Sequence, residues 1–306
     1  MAITAATTTG AFSGFLTPER AEAYFEKTRR QSVVQSLARQ VPLGINGQEI
    51  PVTTSKPVAG WVAEGGQKPA TQGAVGLKTI TPKKIAAIAV VSAEVVRANP
   101  ANYIDLFRDD IAEAFAVAFD SAALHGTSTP FGQNIDETTK VVELGTTAKA
   151  DGGIYADFNA GLKLLVDDGK TLSGFALDVK AEPLLNGAVD TTGRPLFVDA
   201  VYEDTALSGG RLLRRQALYG EGISTPIVTG TPNTGGIVAY GGDWSQAVWG
   251  TVGGISYDVS TEATVTINGA LVSLWENNLV AIRAEAEYGF LVNDTASFVK
   301  YTNHTA

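Results

Sequence analysis

The chain has 306 residues, 44% of them hydrophobic and 18% charged, which is a globular composition with enough length for two domains. It has no cysteine, so disulfides and thiolate metal sites are excluded and stability must come from packing and assembly. Its net charge of −9 argues against tight binding to duplex nucleic acid, which needs clustered Lys and Arg.

The sequence shows no targeting or membrane-spanning signal. Residues 1–14 are small and polar, without the basic start and the apolar run of a signal peptide. The longest strongly apolar run, residues 85–91, is far shorter than the about 20 residues that span a bilayer. We therefore expect a protein of the cytoplasm of the cell that makes it, with no membrane partner.

Charge is distributed unevenly along the chain. Residues 1–100 carry 11 Lys and Arg against 6 Asp and Glu, a balance of +5. Residues 101–306 carry 12 against 26, a balance of −14. This favours self-complementarity, in which basic protrusions lie on the acidic bodies of neighbouring copies. Ordinary solvated faces are the alternative.

Residues 17–39 are predicted to form the first helix. Thr17 is a suitable cap, Pro18 suits the first helical position, and Glu19 lies in the first turn. An ordinary amphipathic helix on its own domain and an arm that reaches along a neighbour both fit this pattern. Residues 47–53 follow as a strand.

The stretch that organises the chain is residues 57–96, which read PVAGWVAEGGQKPATQGAVGLKTITPKKIAAIAVVSAEVV. Gly and Pro break helices and ladders, so residues 65–76 are not expected to form a compact element. Residues 77–91 have the length and β-branched content of one strand that leaves solvent and enters a core. Together they predict a long two-stranded arm whose tip cannot pack on its own domain. A neighbouring copy would have to cover such an arm.

A long helix is predicted over Tyr103–Leu124, and Gly126 ends it. At about 1.5 Å per residue it spans roughly 33 Å. An apolar stripe along one side of a helix needs a sheet or another helix to pack against. His125 directly follows the helix, where a cation suits the helix dipole, and we expect its role to be structural. The apolar side chains recur every four residues, at Tyr103, Phe107, Ile111, Phe115 and Phe119.

The second half of the chain alternates helices and strands, which favours a compact α/β domain over residues 151–278. Residues 133–153 lead into it as a strand and a loop. Its predicted elements are helices at 156–168 and 181–186 and strands at 175–179, 237–240 and 246–249. After it, residues 280–287 alternate with a period of two and predict a strand, and residues 298–301 a last one.

Five runs of the sequence carry a family resemblance. They are WVAEGGQKP at residues 61–69, ITPKKIA at 80–86, VSAE at 91–94, HGTSTPFG at 125–132 and YGGDW at 240–244. In order and spacing they resemble the major capsid proteins of tailed bacteriophages, which share the shell fold first described for phage Hong Kong 97.

The resemblance implies an α+β fold in which an arm, a loop and a long helix surround two domains. The implied parts are an N-terminal arm (1–40), an extended two-stranded loop (57–88), a spine helix, a discontinuous peripheral domain (41–56, 89–150 and 279–306) and an α/β axial domain (151–278).

The implied function is that of a structural subunit. Copies would assemble into pentamers and hexamers of an icosahedral phage head, the virion capsid, which encloses double-stranded DNA. The implied partners are identical subunits, a separate scaffolding protein, a portal, and packaged DNA that is contacted weakly and non-specifically. An encapsulin-like shell around protein cargo is the alternative with the same fold.

The sequence predicts no catalytic, cofactor-binding or metal site. It has no P-loop, no zinc-ligand cluster and no dinucleotide fingerprint. The pairs Asp109-Asp110 and Asp167-Asp168 could serve a carboxylate hydrolase, but adjacent helical residues do not face each other. We therefore expect that the protein is not an enzyme.

The candidate subunit-contact residues lie in the two protrusions that the resemblance implies. They are Trp61, Glu64, Lys68, Lys78, Lys83 and Lys84 in or beside the loop, and Arg29 and Arg30 in the arm. Some family members join a loop Lys to an Asn of a neighbour by an isopeptide bond. Lys68, Lys78 and Asn293 lie in suitable regions, but no local motif supports carrying that chemistry over.

Overall fold

The computed structural model describes residues 32–55, 57–62, 64, 66–68, 73–98, 103–126, 129–189, 209–226 and 235–303, without the side chains of residues 98 and 103–107. The predicted helical residues 17–31, which include Arg29 and Arg30, lie outside this set. So do the side chains of Tyr103 and Phe107.

The described residues form five α-helices and fifteen strands. The helices are α1 (Val33–Leu37), α2 (Ala93–Ala98), α3 (Tyr103–Leu124), α4 (Gly153–Asp167) and α5 (Glu182–Asn186). The strands are β1 (Arg39–Gln40), β2 (Gln48–Ser55), β3 (Ala74–Ile80), β4 (Lys83–Ser92), β5 (Val141–Leu144), β6 (Gly174–Asp178), β7 (Gly209–Leu212), β8 (Arg215–Gly220), β9 (Ile237–Gly242), β10 (Ala247–Thr251), β11 (Ser256–Ser260), β12 (Thr264–Ile267), β13 (Ala270–Ser273), β14 (Leu279–Val292) and β15 (Phe298–Asn303).

A five-stranded sheet is organised around β14, which has 14 residues and extends roughly 46 Å at about 3.3 Å per residue. It pairs antiparallel with β4 and β11 along its first part and with β10 along its last part. β1 joins β10 in parallel at the sheet edge. The predicted alternation is present, because Val280, Ile282, Ala284 and Ala286 are all buried.

The spine helix α3 packs on this face of the sheet. Ile111 and Phe115 contact the small residues Ala284 and Ala286, which allow the helix to approach β14 closely. One turn further on, Phe119 lies within 6.2 Å, between ring centroids, of four other aromatic rings. These rings belong to Phe131, Trp249, Tyr288 and Phe290. The predicted stripe of α3 therefore does face a sheet over its described part.

A six-stranded sheet has the order β5-β15-β9-β6-β8-β7. Helix α4 packs on it, and Phe158 contacts Phe175 and Tyr301 in a second core. The last strand therefore pairs on one side with β9, a strand of the predicted axial domain, although the resemblance groups residues 279–306 with the peripheral domain. The turn at Asp294, whose carboxylate accepts the Ala296 N–H at 3.0 Å, redirects the chain after β14. The division into two domains stays a prediction.

The two-stranded arm is a ladder of β2 and β3, whose register runs from Gln48 opposite Ile80 to Ser55 opposite Ala74. The single strand expected over residues 77–91 is wrong, because β3 ends at Ile80 and β4 begins at Lys83. Pro82 has no N–H to donate to a ladder, so it separates the arm from the five-stranded sheet.

We expect Gly161→Ala on α4 to destabilise the subunit. A Cβ at Gly161 would lie 2.1 Å from the hydroxyl oxygen of Tyr301, which is buried and donates to the Phe158 carbonyl at 3.2 Å. The displaced ring should lower the free energy of unfolding by about 1–3 kcal/mol. Urea denaturation of the unassembled subunit measures this.

The matched control is Gly254→Ala, because nothing lies within 4 Å of a Cβ at that position. Its free energy of unfolding should stay within about 0.5 kcal/mol of the parent. Equal denaturation midpoints for the two variants would show that the contact between α4 and β15 tolerates expansion.

Candidate subunit-contact surface

The arm has one face toward the body and one toward solvent. Cross-strand pairs on the inner face join Ile50 to Lys78 and Val52 to Gly76. Ile50 and Val52 are half-buried there, whereas Leu77 on the outer face is 65% exposed. The alternation of β2 and β3 therefore places apolar side chains on both faces, and the outer ones have no cover within the described residues.

The root of the arm is fixed to the body at β14. Ile80 is buried, and a Cβ on Gly289 of β14 would lie 2.8 Å from its side chain, so only glycine permits this approach. The Lys78 ammonium donates to the Asn293 carbonyl oxygen at 2.6 Å and to that of Val292 at 3.5 Å. Lys78 thus holds the arm of its own subunit, and its amine is engaged there.

The tip of the arm is exposed. Trp61 has an exposed fraction of 105%, and Val58 one of 72%. Glu64 and Lys68 are exposed beside them. An aromatic residue of this size buries about 150–250 Å² when covered, which corresponds to roughly 4–6 kcal/mol at about 25 cal/mol per Å². This is the largest apolar side chain of the described arm, and its subunit leaves it in water.

Lys83 and Lys84, the dibasic pair on β4, differ in their ion pairing. The Lys84 ammonium lies 3.3 Å from a carboxylate oxygen of Glu285 on β14, and the Lys84 side chain is 56% exposed. A pair this exposed contributes at most about 1 kcal/mol. Lys83 is exposed at the start of the strand and makes no ion pair with the residues that the structure describes. Of the two lysines, Lys83 has the freer charge.

A second exposed apolar surface was not predicted. Leu271 on β13 is 79% exposed, and Trp275 in the turn after it is 74% exposed. The opposite face of the β12–β13 hairpin packs into a small core through Ile267. The sequence signal was Asn268-Gly269, a pair that forms two-residue hairpin turns with positive φ, here 51° and 82°.

A cleft of about 890 Å³ lies between the arm and the body. At the edge of this cleft, Lys170 and Asp294 form an ion pair within the subunit. Hydrogen bonding to Asp294 raises the pKa of Lys170. For Asp294, burial raises the pKa, but hydrogen bonds from Lys170, Ser297 and the Ala296 N–H outweigh burial and leave the pKa below its usual value. The cleft therefore has a structural ion pair at its edge.

His125 lies in the core rather than at a reactive site. Its Nε2 is 3.1 Å from the Gly222 carbonyl oxygen, and its Nδ1 is 3.0 Å from the Tyr240 hydroxyl. Burial lowers the pKa of His125, which favours the neutral ring over the cation that would suit the helix dipole. Both ring nitrogens are used to join α3 to β9 and to the segment after β8.

Among the described residues, no group of three or more His, Cys, Asp or Glu is placed to hold a metal ion. None of the described helices combines the length and the apolar character that a membrane crossing requires.

Residues 13–303 match the family model described as "Phage capsid family". The chain belongs to this family. It is 44% identical over 298 residues to the "Probable major capsid protein gp17" of Mycobacterium phage D29, which covers 95% of this chain and 91% of that protein. It is 45% identical over 304 residues to the protein of the same description in Mycobacterium phage L5, with coverage of 95% and 90%.

Solved structures share the fold. A chain from Gordonia phage Cozz superimposes with a TM-score of 0.72 at 26% identity, covering 97% of this chain and 94% of that one. The capsid of an empty GTA particle gives a TM-score of 0.66 at 16% identity, covering 97% and 98%, which shows the fold alone. The predicted α+β capsid fold is confirmed.

The phage capsid family is one of structural proteins, so the prediction that this chain is not an enzyme is confirmed. The family match and the curated relatives also favour a phage head over the encapsulin-like alternative. The chain is a structural subunit of a phage capsid and a component of the virion.

We expect Trp61→Ala to weaken assembly without weakening the subunit. Because the ring is fully exposed, its loss should change the free energy of unfolding by less than about 0.5 kcal/mol. If a neighbour covers it, the concentration needed for assembly should rise about tenfold or more, as for an aromatic hot spot. Light scattering against subunit concentration measures this.

Trp61→Phe keeps an aromatic ring at the same position and is the matched control, with assembly close to that of the parent. Assembly of the alanine variant at the parental concentration would remove Trp61 from the contact surface.

Proposed function

We propose that this chain builds pentamers and hexamers of an icosahedral head that encloses double-stranded DNA. Its place in the phage capsid family supports self-assembly into capsid oligomers. The observation that carries the finer proposal is the arm, whose fixed root at Ile80 contrasts with the exposed Trp61 at its tip. A protrusion with a fixed root and an uncovered apolar end suits a contact with the next subunit.

The contact chemistry that we propose is apolar at its centre and charged at its rim. Trp61 supplies the apolar anchor, Glu64 and Lys68 supply exposed charges on the same arm, and Lys83 supplies one at the start of β4. Lys78 and Lys84 act mainly within their own subunit, through Asn293 and Glu285. Arg29 and Arg30 stay candidates outside the described residues.

Weak contacts of this kind add up in a closed shell. A stable interface buries roughly 1,200–2,000 Å², and each subunit of a shell has several neighbours. The basic balance of residues 1–100 and the acidic balance of residues 101–306 make the two halves of neighbouring copies electrostatically complementary. The arm therefore supports assembly through both burial and charge.

We also propose the further partners of a phage head. A separate scaffolding protein and a portal would act during assembly in the host cytoplasm. Packaged DNA would be contacted weakly, because a net charge of −9 disfavours strong phosphate binding. The division into a peripheral and an axial domain stays part of the proposal, with boundaries that would have to group β10 and β11 with β14, and β5 and β15 with β9.

Electron microscopy of the protein purified with its natural partners tests the proposed function. We expect closed shells with five-fold vertices and nuclease-protected DNA inside. Shells that hold a protein cargo and no DNA would favour the encapsulin-like alternative. Monomers under all assembly conditions would contradict the proposal.

A further inference from the structure

The junction between the N-terminal segment and the body depends on one buried carboxylate. Asp120 on α3 is 2% exposed and accepts the backbone N–H of Val33 at 2.8 Å and that of Val34 at 3.1 Å. It also accepts the hydroxyl of Ser32, the residue that caps α1. All three donors belong to the first turn of α1, which is 88 to 86 residues away in sequence.

Helix α1 needs this external support. It has five residues, far fewer than the about 12–15 that a helix needs to be stable in water. Val33 and Val34 are fully buried in the core that contains Phe119, so packing and the Asp120 carboxylate together hold α1 on α3. Helix α1 is the first of the described elements, so this junction fixes the point on the body to which the preceding residues are joined.

Among the described residues, no ionised group is paired with Asp120. The first and largest influence is burial, which raises the pKa of Asp120 to about 7, and the hydrogen bonds from Ser32, Val33 and Val34 act in the opposite direction. The elements packed against α1 are α3, β6, β8 and β1. Their titratable groups with described side chains are Arg108, Asp109, Asp110 and Glu113 on α3, Asp178 on β6, Arg215 and Tyr219 on β8, and Arg39 on β1, while His125 directly follows α3 and Tyr288 on β14 lines the adjoining cavity. None of them is among the causes of the shift.

Water can reach this junction if α1 moves. A cavity of about 470 Å³ adjoins it, lined in part by Ser32, Gln35 and Glu113. In the docked state the neutral carboxyl can donate to the Ser32 hydroxyl oxygen, which also accepts the Gln35 N–H at 3.0 Å, once the Ser32 hydroxyl turns its own proton away from Asp120. The neutral state thus keeps one hydrogen bond to Ser32, whereas the ionised state carries the cost of a buried charge.

We propose that Asp120 is the positioning residue of the N-terminal arm, and that its proton controls how firmly α1 is held on α3. Proton uptake strengthens the junction and proton loss weakens it. The consequence for assembly rests on the proposed function, in which residues 1–31 reach a neighbouring copy. A weakened junction would let these residues leave the body in a different direction.

The sign follows from linkage. When α1 undocks, water reaches the carboxyl and its pKa returns toward the ordinary 3.8, whereas in the docked state it is about 7. The docked state thus binds the proton more tightly. Its extra stability is fully present below the lower pKa and is lost as the pH rises through the higher one. Between pH 6 and pH 8 the docking equilibrium should weaken about tenfold.

Hydrogen exchange on the full-length, unassembled subunit tests this proposal. Peptides that contain Val33 and Val34 should lose protection about tenfold between pH 6 and pH 8, after correction for the intrinsic exchange rate. In Asp120→Asn, which cannot ionise, the protection should not depend on pH. Equal protection of the parent at pH 6 and pH 8 would overturn the proposal. A pH dependence in the Asp120→Asn variant as large as that of the parent would overturn it as well.

Asp157→Asn is the matched control. Asp157 on α4 is also 2% exposed and accepts a backbone N–H, from Gly145 at 2.7 Å, and threonine hydroxyls. This variant should keep the parental pH dependence at α1. If Asp120→Asn does not fold, Ser32→Ala provides the test, because loss of a hydrogen bond that lowers the pKa should move the exchange transition to higher pH. An unmoved transition would contradict the proposal.

The exchange measurement separates this proposal from the proposed function. Shell formation without the pH-dependent exchange would remove the role of Asp120 and leave the capsid function intact. If the protein shows the expected pH-dependent exchange but forms no shells, the role of Asp120 stands and the proposed capsid function falls.

Discussion

The structure depends on β14, a single strand that joins most of the features described above. It pairs with β4, β10 and β11, and its alanines receive α3 on one face. Gly289 on the same strand receives Ile80 at the root of the arm, and the carbonyl of Asn293 just beyond it accepts the Lys78 ammonium. One strand thus fixes the spine helix and the arm relative to each other.

This arrangement separates a rigid body from the surfaces that it leaves uncovered. Ring contacts and close glycine approaches fill the cores around Phe119 and Tyr301, where little rearrangement is possible. In contrast, Trp61 and Trp275 lie in water. Assembly can bury apolar side chains of this kind, which the fold of one subunit leaves exposed. At the Asp120 junction, the proposed proton binding acts together with packing to set how firmly α1 is held on α3.

Local patterns in the sequence predicted the elements that bury a regular face. The period of four placed Ile111, Phe115 and Phe119 on one side of α3, and the period of two revealed the buried face of β14. Pro82 indicates a break between two strands. The apolar run after it favours one continuous strand instead, and that prediction is wrong. The pairing of β15 with β9, and of Asp120 with Ser32, could not be predicted, because both join residues far apart in sequence and neither leaves a local pattern. Family resemblance, rather than residue chemistry, supplied the capsid fold.

The central claim is that neighbouring copies cover the tip of the arm. Hydroxyl-radical footprinting of the unassembled subunit and of the assembled shell measures this directly at Trp61. Trp244, which is 1% exposed within the subunit, serves as the internal reference that should stay unreactive in both states. The account predicts that oxidation of Trp61 is rapid in the subunit and largely suppressed in the shell. Equal oxidation rates of Trp61 in the two states would contradict it.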